Sequence, residues 1–458
     1  MDYELLPFGL HDNTIVLLNG NVPMTYTTQF HNGAELNRLY DDDRPIHEWY
    51  RFVLSFPPHL VRDYVEKFGL GKGQIILDPF CGTGTTLVEA KKLGIKSVGV
   101  EANAMAHFAA SVKTDWEIEP SELADLGQEV SSRVTEASHE KPLSSDSGYF
   151  DITVFSGKLR AFGAEQSNLL IKNSISPIPL HKVLTLLDGI DAHKAIKPRN
   201  HAKLALAKQT VKEISNLRFG PEIGVGKLKV DTPVLKPWLN AVDSMVSDLQ
   251  EFRGSPDTPA TVFSADARDM SRYLAPGSID AVITSPPYPN EKDYSRTTRL
   301  ESVLLGFISS RKDLRKQKQR FIRSNTRGVY KFDTDHSWVE DVPRVQTLAN
   351  NIEERRLQLG KTSGFEKQYA KVVRLYFGGM ARHLSELRVL LRPGAKLGYV
   401  VGDQASYFRI MIRTGQILAE LAERLGYEVL DIDLFRTRFS TATKEHLREE
   451  VVLLQWNG

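Results

Sequence analysis

The hydrophobic pattern near the start of the chain consists of two short apolar runs on either side of a turn and a helix. Residues 74–77 form a buried-strand pattern, and residues 86–93 have the apolar spacing of a helix. A second apolar run at 97–100 predicts another strand, which ends at Glu101. Strand, glycine-containing turn, helix and strand in this order are typical of the opening of a Rossmann-like parallel sheet.

The alternation of strands and helices stops after Glu101 and resumes at a strand that ends near Asp266, 165 residues later. Because an ordinary crossover is far shorter, residues 120–255 are predicted to be an insertion with helical stretches at 201–214 and 237–252. The remaining predicted elements are strands at 260–263, 279–283, 396–401, 428–435 and 450–456 and helices at 365–391 and 412–425.

Composition restricts the class of protein without identifying it. Charged residues make up 25% and apolar residues 41% of the chain, as in ordinary globular proteins. The single cysteine excludes a disulfide framework, and the histidines have no metal-binding spacing, so we expect no metal. The N-terminus has no signal-peptide pattern, and no apolar run approaches the roughly 20 residues that span a bilayer. We therefore expect a soluble intracellular protein.

The turn after the first strand, Asp-Pro-Phe-Cys-Gly-Thr-Gly-Thr-Thr at 78–86, has the composition of a ligand-binding loop. Gly82 and Gly84 allow positive φ and a close approach of the backbone to a ligand. The turn lacks the lysine of a phosphate-binding loop, and Leu87 stands where a dinucleotide-binding turn has its third glycine. These features favour an adenosine-containing cofactor without a pyrophosphate; the alternative is a plain tight turn.

Acidic residues stand at the ends of three predicted strands around this turn, at Asp78, Glu101 and Asp266. A carboxylate at the second strand end is placed to accept hydrogen bonds from both ribose hydroxyls, and we expect this of Glu101. Asp266, at the third strand end, is placed to accept a hydrogen bond from an adenine amino group. We interpret Cys81, inside the turn, as a packing residue and not as a nucleophile.

A second turn, Thr-Ser-Pro-Pro-Tyr-Pro-Asn at 284–290, directly follows the strand at 279–283. Pro286 and Pro287 have no N–H, so this turn presents carbonyl oxygens and the Ser285 hydroxyl as acceptors. Acceptors that hold the hydrogens of a base amino group favour a tetrahedral nitrogen, whose lone pair can attack an electrophile. Stacking of the base on Tyr288 would contribute about 1–3 kcal/mol. The alternative is a proline turn that ends an edge strand, with Tyr288 in the core.

Together the two turns resemble those of a known family, the S-adenosylmethionine-dependent DNA amino-methyltransferases. Phe-Pro-Pro-His-Leu at 56–60 is similar to a further cofactor motif of that family. The resemblance implies an α/β fold: a Rossmann-like seven-stranded methyltransferase sheet with helices on both faces, one antiparallel strand near its end and a large, mostly helical insertion. It also implies S-adenosylmethionine as the cofactor and direct transfer of a methyl group to the amino group of a flipped base.

The resemblance implies roles for two sets of residues. The implied cofactor-binding residues are Phe56, Pro57, Pro58, Asp78, Phe80, Gly82, Gly84, Thr85, Glu101, Asp266 and Ala267. The implied catalytic residues are Ser285, Pro286, Pro287 and Tyr288. Within the family, Ser-Pro-Pro-Tyr is associated with cytosine-N4 and Asp- or Asn-Pro-Pro-Tyr with adenine-N6, so cytosine is favoured and adenine remains the alternative. Carbon-5 methylation is disfavoured, because the only cysteine lies in the cofactor turn.

Basic residues are concentrated in two stretches of a chain whose net charge is only +2. Residues 291–331 contain twelve Lys/Arg and four Asp/Glu, and residues 194–236 contain ten and three. Although such runs are often solvated helix faces, two of them in insertions favour a polyanionic partner, here double-stranded DNA. The predicted nucleic-acid-binding residues are Tyr294, Arg296, Arg299, Arg311, Lys312, Arg315, Lys316, Lys318 and Arg320.

We therefore expect three parts in this chain. Residues 1–119 and 256–458 would form the two halves of the methyltransferase domain, with a basic insertion at about 291–360, and residues 120–255 would recognise the target DNA. The expected setting is the cytoplasm of a prokaryote, at the nucleoid when bound to DNA, with a cognate restriction endonuclease as a potential partner. The alternatives are an RNA amino-methyltransferase and a nucleic-acid-binding protein that has lost the activity.

Overall fold

The computed structural model describes residues 14–19, 22–27, 35–51, 55–139, 158–220, 222–254, 258–440 and 443–458. The strands in these residues are β1 (Thr14–Asn19), β2 (Val22–Thr27), β3 (Ile75–Asp78), β4 (Lys96–Val100), β5 (Leu217–Arg218), β6 (Gly224–Val225), β7 (Ala260–Phe263), β8 (Ile279–Thr284), β9 (Leu391–Gly402), β10 (Glu428–Ser440) and β11 (Glu445–Trp456). Pairs β1–β2 and β5–β6 form separate two-stranded antiparallel ribbons.

Helices connect these strands and form most of the remaining structure. They are α1 (Arg44–His47), α2 (Pro58–Phe68), α3 (Thr85–Lys92), α4 (Ala104–Thr114), α5 (Pro120–His139), α6 (Ala164–Leu169), α7 (Pro177–Asp191), α8 (Ile196–Gln209), α9 (Leu235–Glu251), α10 (Tyr294–Thr297), α11 (Arg299–Leu304), α12 (Arg311–Gln319), α13 (Pro343–Gln358), α14 (Tyr369–Arg388) and α15 (Thr414–Arg424). A π-helical turn, Thr210–Ile214, continues α8.

The central sheet has seven strands in the order β10-β11-β9-β8-β3-β4-β7. Strands β7, β4, β3, β8 and β9 are parallel, whereas β11 pairs antiparallel with both β9 and β10. Both β3 and β8 are central, and their carboxyl ends lie side by side. This topology confirms the predicted Rossmann-like seven-stranded methyltransferase sheet with an antiparallel strand near its end.

Alternating side chains of the central strands pack into two different cores, because successive residues of a strand point to opposite faces. Leu77 and Val282 belong to the cluster that contains α14 and α15, whereas Ile76 and Ala281 belong to the cluster that contains α2. All four side chains are fully buried. Helices therefore cover both faces of the sheet, as predicted, and the ligand-binding edge is left at the strand ends.

The segment between β4 and β7 contributes helices α5, α7, α8 and α9, which share one apolar core. Trp238 lies in this core, and its indole N–H donates a 2.9 Å hydrogen bond to the Ala202 carbonyl. The same cluster includes Val88 from α3 and Met105 from α4. The helical segment therefore packs directly against the helices that follow the first two strands of the sheet.

Two of the predicted elements begin at other residues in the structure. The helix expected at 201–214 begins earlier, at Ile196, and becomes π-helical after Gln209. The strand expected at 396–401 begins at Leu391, and its pairing with β8 shifts register before Lys396. Gly394, inside that irregular stretch, has a φ of 85°, which lies in the left-handed region that favours glycine. Both deviations are local and leave the order of the elements as predicted.

Candidate active site

The carboxyl ends of the parallel strands open into one cavity of about 650 Å³. Seven of the predicted cofactor-binding residues line it: Phe56, Phe80, Gly82, Thr85, Glu101, Asp266 and Ala267. The four predicted catalytic residues, Ser285, Pro286, Pro287 and Tyr288, line the same cavity. The two motifs, about two hundred residues apart in the sequence, are therefore parts of one site.

The glycine turn at 78–84 has the backbone that its sequence predicts. Gly82 and Gly84 have φ of 52° and 86°, and Gly84 is the N-cap residue of α3. A Cβ on Gly84 would lie 3.2 Å from the Cα of Ala110, so glycine is needed there for packing of α3 against α4. A Cβ on Gly82 would meet no atom within 4 Å, so the backbone of Gly82 faces open space.

Cys81 lies in the same turn, with only 5% of its surface exposed, and packs with Leu87 and Ala110. Burial raises the pKa of its thiol well above its usual range. A neutral buried thiol is a poor nucleophile. This environment is that of a packing residue, as the sequence analysis expected.

Glu101 extends from the end of β4 to the glycine turn. Its Oε2 accepts a 2.8 Å hydrogen bond from the Gly82 N–H, and its Oε1 accepts a 2.7 Å hydrogen bond from the Asn103 N–H. Burial raises the pKa of Glu101 to about 7. Because a carboxylate oxygen can accept two hydrogen bonds, each oxygen has capacity left for a ligand hydroxyl.

Asp78 is one of four implied cofactor residues that do not line the cavity; the others are Pro57, Pro58 and Gly84. Its side chain is 1% exposed, and its Oδ1 accepts hydrogen bonds from the Thr284 hydroxyl at 2.5 Å and the Phe80 N–H at 3.1 Å. Burial raises the pKa of Asp78 to about 6. Asp78 therefore connects the glycine turn to the proline turn through these hydrogen bonds.

Asp266 lines the cavity but already has a partner. Arg268 donates hydrogen bonds from its backbone N–H and Nε to Asp266 Oδ1, both at 2.9 Å, and from Nη2 to Oδ2 at 2.7 Å. The carbonyl of Ala267 is 2.8 Å from His383 Nδ1. Oδ2 of Asp266 accepts only one of these bonds, so it retains capacity for one further donor.

The proline turn places the Tyr288 ring beside Gly402, the last residue of β9. The Tyr288 hydroxyl interacts with Ser285, and the Tyr294 hydroxyl lies 3.4 Å from the Tyr288 backbone nitrogen. Burial raises the pKa of Tyr288, so its hydroxyl is neutral near pH 7. A Cβ on Gly402 would lie only 3.0 Å from Tyr288 Cε2. The missing side chain of Gly402 therefore provides the space in which the tyrosine ring lies.

The predicted nucleic-acid-binding residues occupy different environments. On α12, Arg311, Lys312, Arg315 and Lys316 are exposed. The guanidinium of Arg315 lies over the Tyr330 ring, 5.3 Å from its centroid. Tyr294 and Arg320 line the cavity. Arg296 does not line it, and its Nη1 lies 3.7 Å from Glu222 Oε2 in an ion pair.

Two residues of the predicted set have internal partners instead. Lys318 is buried, and its Nζ is 3.0 Å from Asp293 Oδ2 and 2.9 Å from the Arg327 carbonyl. Arg299 donates to the Ser295 carbonyl at 3.0 Å and to the Leu169 carbonyl at 3.2 Å. Both side chains therefore bond within the fold near the proline turn, which argues against their assignment as nucleic-acid-binding residues.

Other residues of the cavity were not predicted from the sequence, because they belong to no motif. They are Tyr50, Lys208, Lys212, Glu301, Gln404, Phe435, Arg436 and Glu449, among others. Glu301 is 1% exposed; its Oε1 accepts a hydrogen bond from the Tyr50 hydroxyl, and its Oε2 has no partner in the described part of the chain. Burial raises the pKa of Glu301 to about 7. The sequence gives little indication of this role, because Glu301 is a single acid in a basic stretch. No local pattern distinguishes it from a surface residue.

The described part of the chain contains neither a cluster of metal-binding side chains nor a membrane-spanning helix. No group of three or more His, Cys, Asp or Glu side chains there could hold a metal ion. In the same residues, no helix is both long and apolar enough to cross a bilayer.

Known proteins match this chain over most of its length. A family model described as DNA methylase matches residues 26–111. The Type II methyltransferase M.BsoBI of Geobacillus stearothermophilus is 24% identical over 454 residues, which covers 91% of this chain and 86% of that protein. The Type II methyltransferase M.AvaI of Nostoc sp. is 24% identical over 404 residues, which covers 84% of this chain and 80% of that protein.

Among solved structures, the rRNA methyltransferase aviRa of Streptomyces viridochromogenes matches with a TM-score of 0.31 and 10% identity, over 93% of this chain and 94% of that one. That likeness is too low to bear on function. The sheet topology and the cavity at its carboxyl edge define the fold class: the chain has the Rossmann-like fold of a methyltransferase. The sequence matches support a restriction–modification-like amino-methyltransferase, a class that depends on S-adenosylmethionine.

Proposed function

We propose that this protein transfers a methyl group from S-adenosylmethionine to the N4 amino group of a cytosine flipped out of double-stranded DNA. The main supporting observation is that Ser285 and Tyr288 share one cavity with Gly82 and Glu101. A donor group and an acceptor base must meet in one enclosed space for direct transfer, and this cavity has the size of a ligand pocket.

The residues around the glycine turn fit an adenosine-containing cofactor. Glu101 would accept hydrogen bonds from the ribose hydroxyls, since each of its oxygens has capacity left after its backbone contact. Asp266 Oδ2 would accept one from the adenine amino group, and Phe56 would lie beside the methionine part. When bound, S-adenosylmethionine supplies a methyl group activated by the attached sulfonium.

The proline turn fits the base that accepts the methyl group. The Ser285 hydroxyl and the turn carbonyls would hold the amino hydrogens, and neither Pro286 nor Pro287 offers a competing N–H. The Tyr288 ring would stack on the base, which offsets part of the few kcal/mol that extrusion from the duplex costs. Serine at position 285 favours cytosine by family resemblance, and adenine-N6 is the alternative.

DNA as the substrate is supported by the exposed cations of α12 and by the type II methyltransferase relatives. Lys and Arg contacts to phosphate would position the duplex without reading its sequence. The helical segment 120–255 is proposed to recognise the target site, because Lys208 and Lys212 bring it to the margin of the cavity. A restriction endonuclease with the same recognition site is the proposed partner.

The test is to express the chain in cells, digest their DNA to nucleosides and identify methylated bases by mass. We expect N4-methylcytosine from the parent and none from Ser285→Ala or Tyr288→Ala, both of which should still bind S-adenosylhomocysteine. Ser271→Ala and Tyr273→Ala, at exposed positions of the same chain, are the matched controls.

Each other outcome identifies a specific error. N6-methyladenine would show that the protein methylates an amino group, as proposed, but that the base is adenine and not cytosine. Methylation of transfer or ribosomal RNA without methylation of DNA would favour the RNA enzyme. A parent protein that binds no S-adenosylhomocysteine by calorimetry would be a nucleic-acid-binding protein without activity.

A further inference from the structure

A buried amide side chain lies beside the tyrosine of the proline turn. Gln404 follows β9 closely, lines the cavity and is only 4% exposed. A Cβ on Gly402 would lie 3.0 Å from Tyr288 Cε2, 3.3 Å from Glu449 Cγ and 3.4 Å from Gln404 Nε2. The side chains of Tyr288, Glu449 and Gln404 therefore meet around one point of the cavity wall.

The backbone of Gln404 is held in place, whereas most of its side-chain bonding capacity is unused. Its N–H donates to the Ile412 carbonyl at 3.1 Å, and its carbonyl accepts from the Ile412 N–H at 2.7 Å. The side chain donates one hydrogen bond, from Nε2 to the Gly402 carbonyl at 3.3 Å, and bonds to no other described residue. An amide has two donor hydrogens and two acceptor sites, and buried ones are normally satisfied. The unused donor and acceptor sites are therefore available to a ligand in the cavity.

Three cationic side chains, which are hydrogen-bond donors, line the cavity together with this amide. Lys292, Arg436 and Arg438 line the same cavity as Gln404, and Glu449 is the acid among them. The Glu449 carboxylate already accepts a 2.5 Å hydrogen bond from Arg436 Nε. A group with two adjacent acceptors is thus the best complement to this part of the wall.

The two candidate bases differ in this respect. Next to its amino group, cytosine has the ring nitrogen N3 and then the O2 carbonyl, which are both acceptors. Next to its amino group, adenine has the acceptor N1 and then a C–H group, which accepts nothing. A donor-rich wall leaves no donor unpaired with cytosine, but it leaves one unpaired with adenine.

We propose that Gln404 determines base specificity by donating a hydrogen bond from Nε2 to the acceptor edge of the flipped cytosine. The inference rests on the proposed function and deepens it, because it gives a reason for cytosine that is independent of the identity of residue 285. Tyr288 would hold the face of the base, and Gln404 would hold its edge.

The experiment uses the full chain, unmethylated plasmid DNA and S-adenosylmethionine with a labelled methyl group. Gln404→Leu removes the donor, and Gln404→Glu keeps the shape but replaces the donor by an acceptor. We expect both to reduce methyl transfer to cytosine about 10- to 100-fold, with Glu the more severe, while S-adenosylhomocysteine affinity stays within a factor of two of the parent. Gln455→Leu, on β11 and outside the cavity, is the matched control and should transfer at the parental rate.

A second measurement separates base reading from a structural effect. The ratio of N6-methyladenine to N4-methylcytosine in the product should rise in Gln404→Leu, because the penalty against adenine is removed along with the donor. Parental transfer to cytosine by Gln404→Glu, or an unchanged product ratio in a slowed Gln404→Leu, would overturn the inference and leave the proposed function standing. A parent protein that methylates no base would instead refute the proposed function itself.

Discussion

The Thr284 hydroxyl donates a 2.5 Å hydrogen bond to Asp78 Oδ1, and the two residues are 206 positions apart in the sequence. They are the last residues of β8 and β3, which are adjacent parallel strands. The glycine turn follows Asp78 and the proline turn follows Thr284, so this hydrogen bond joins the two parts of the candidate site where they leave the sheet. The other oxygen, Asp78 Oδ2, is buried and has no partner in the described residues.

Replacing Thr284 by valine keeps the shape of the side chain and removes this bond. Asp78 Oδ1 would lose the Thr284 donor and keep the Phe80 N–H, so the unfolding free energy should fall by about 1–3 kcal/mol. Urea denaturation followed by circular dichroism measures the change. Thr135→Val, at an exposed position of α5, is the control and should cost well under 1 kcal/mol. Equal costs in the two variants would mean that the bond joining the turns adds nothing to stability.

Gly402→Ala should impair catalysis because it displaces the tyrosine ring. The new Cβ would be 3.0 Å from Tyr288 Cε2, whereas a Cβ on Gly398, four residues earlier on β9, would be an ordinary 3.5 Å from Phe68 Cζ. We expect a tenfold or larger fall in kcat for Gly402→Ala, with unchanged S-adenosylhomocysteine affinity, and little effect of Gly398→Ala. Steady-state methylation and calorimetry measure both. Equal kcat values in the two variants would contradict the placement of the ring.

Lys316 and Lys318 are two residues apart on α12 but should respond differently to replacement by glutamine. Lys316 is exposed, so its loss should weaken DNA binding and lower the slope of log K against log salt by about 0.9. Lys318 pairs with the buried Asp293, so its loss should leave the slope unchanged and destabilise the fold by about 3 kcal/mol. Fluorescence anisotropy over a salt series and urea denaturation measure the two effects. A lowered slope for Lys318→Gln would restore it to the DNA-binding set.

Glu301 should make the protein less stable as the pH rises, because its side chain is buried. Burial raises its pKa from an ordinary 4.5 to about 7, so the native protein holds a proton that the unfolded chain releases. The stability from this group is complete below pH 4.5 and is lost as the pH rises through 7. The glutamine in Glu301→Gln does not titrate, so this variant does not lose that stability. Its unfolding free energy relative to that of the parent should therefore rise by about 3 kcal/mol between pH 4.5 and 8.

Urea denaturation at several pH values tests this difference, with Glu353→Gln as the control. The Arg356 guanidinium beside Glu353 lowers the pKa of that carboxyl, so its replacement should give no such gain as the pH rises. A difference between Glu301→Gln and the parent that stays constant with pH would mean that Glu301 is ionised in the native protein.

Much of the fold could be predicted because its information is local. The strand at 260–263 matches the structure residue for residue, and the other sheet strands were placed correctly in order. Buried strands of a parallel sheet appear as short apolar runs, and the glycine turn at 78–84 requires residues that tolerate positive φ. The positions of Glu101 and Ser285 at the cavity follow from these elements, since parallel strands end at one edge of the sheet.

The remaining part of the site was decided by contacts between distant segments. Nothing local distinguishes Lys318 from Lys316; only the packing of α12 against Asp293 makes one internal and leaves the other exposed. Gln404 and Glu301 reach the cavity because of where β9 and α11 lie in the folded chain. The sequence by itself determined the order of the elements and the two motifs, since periodicity and turn chemistry depend on neighbouring residues. Which polar side chains complete the site depends on burial and pairing across the fold, and therefore only the tertiary structure decided it.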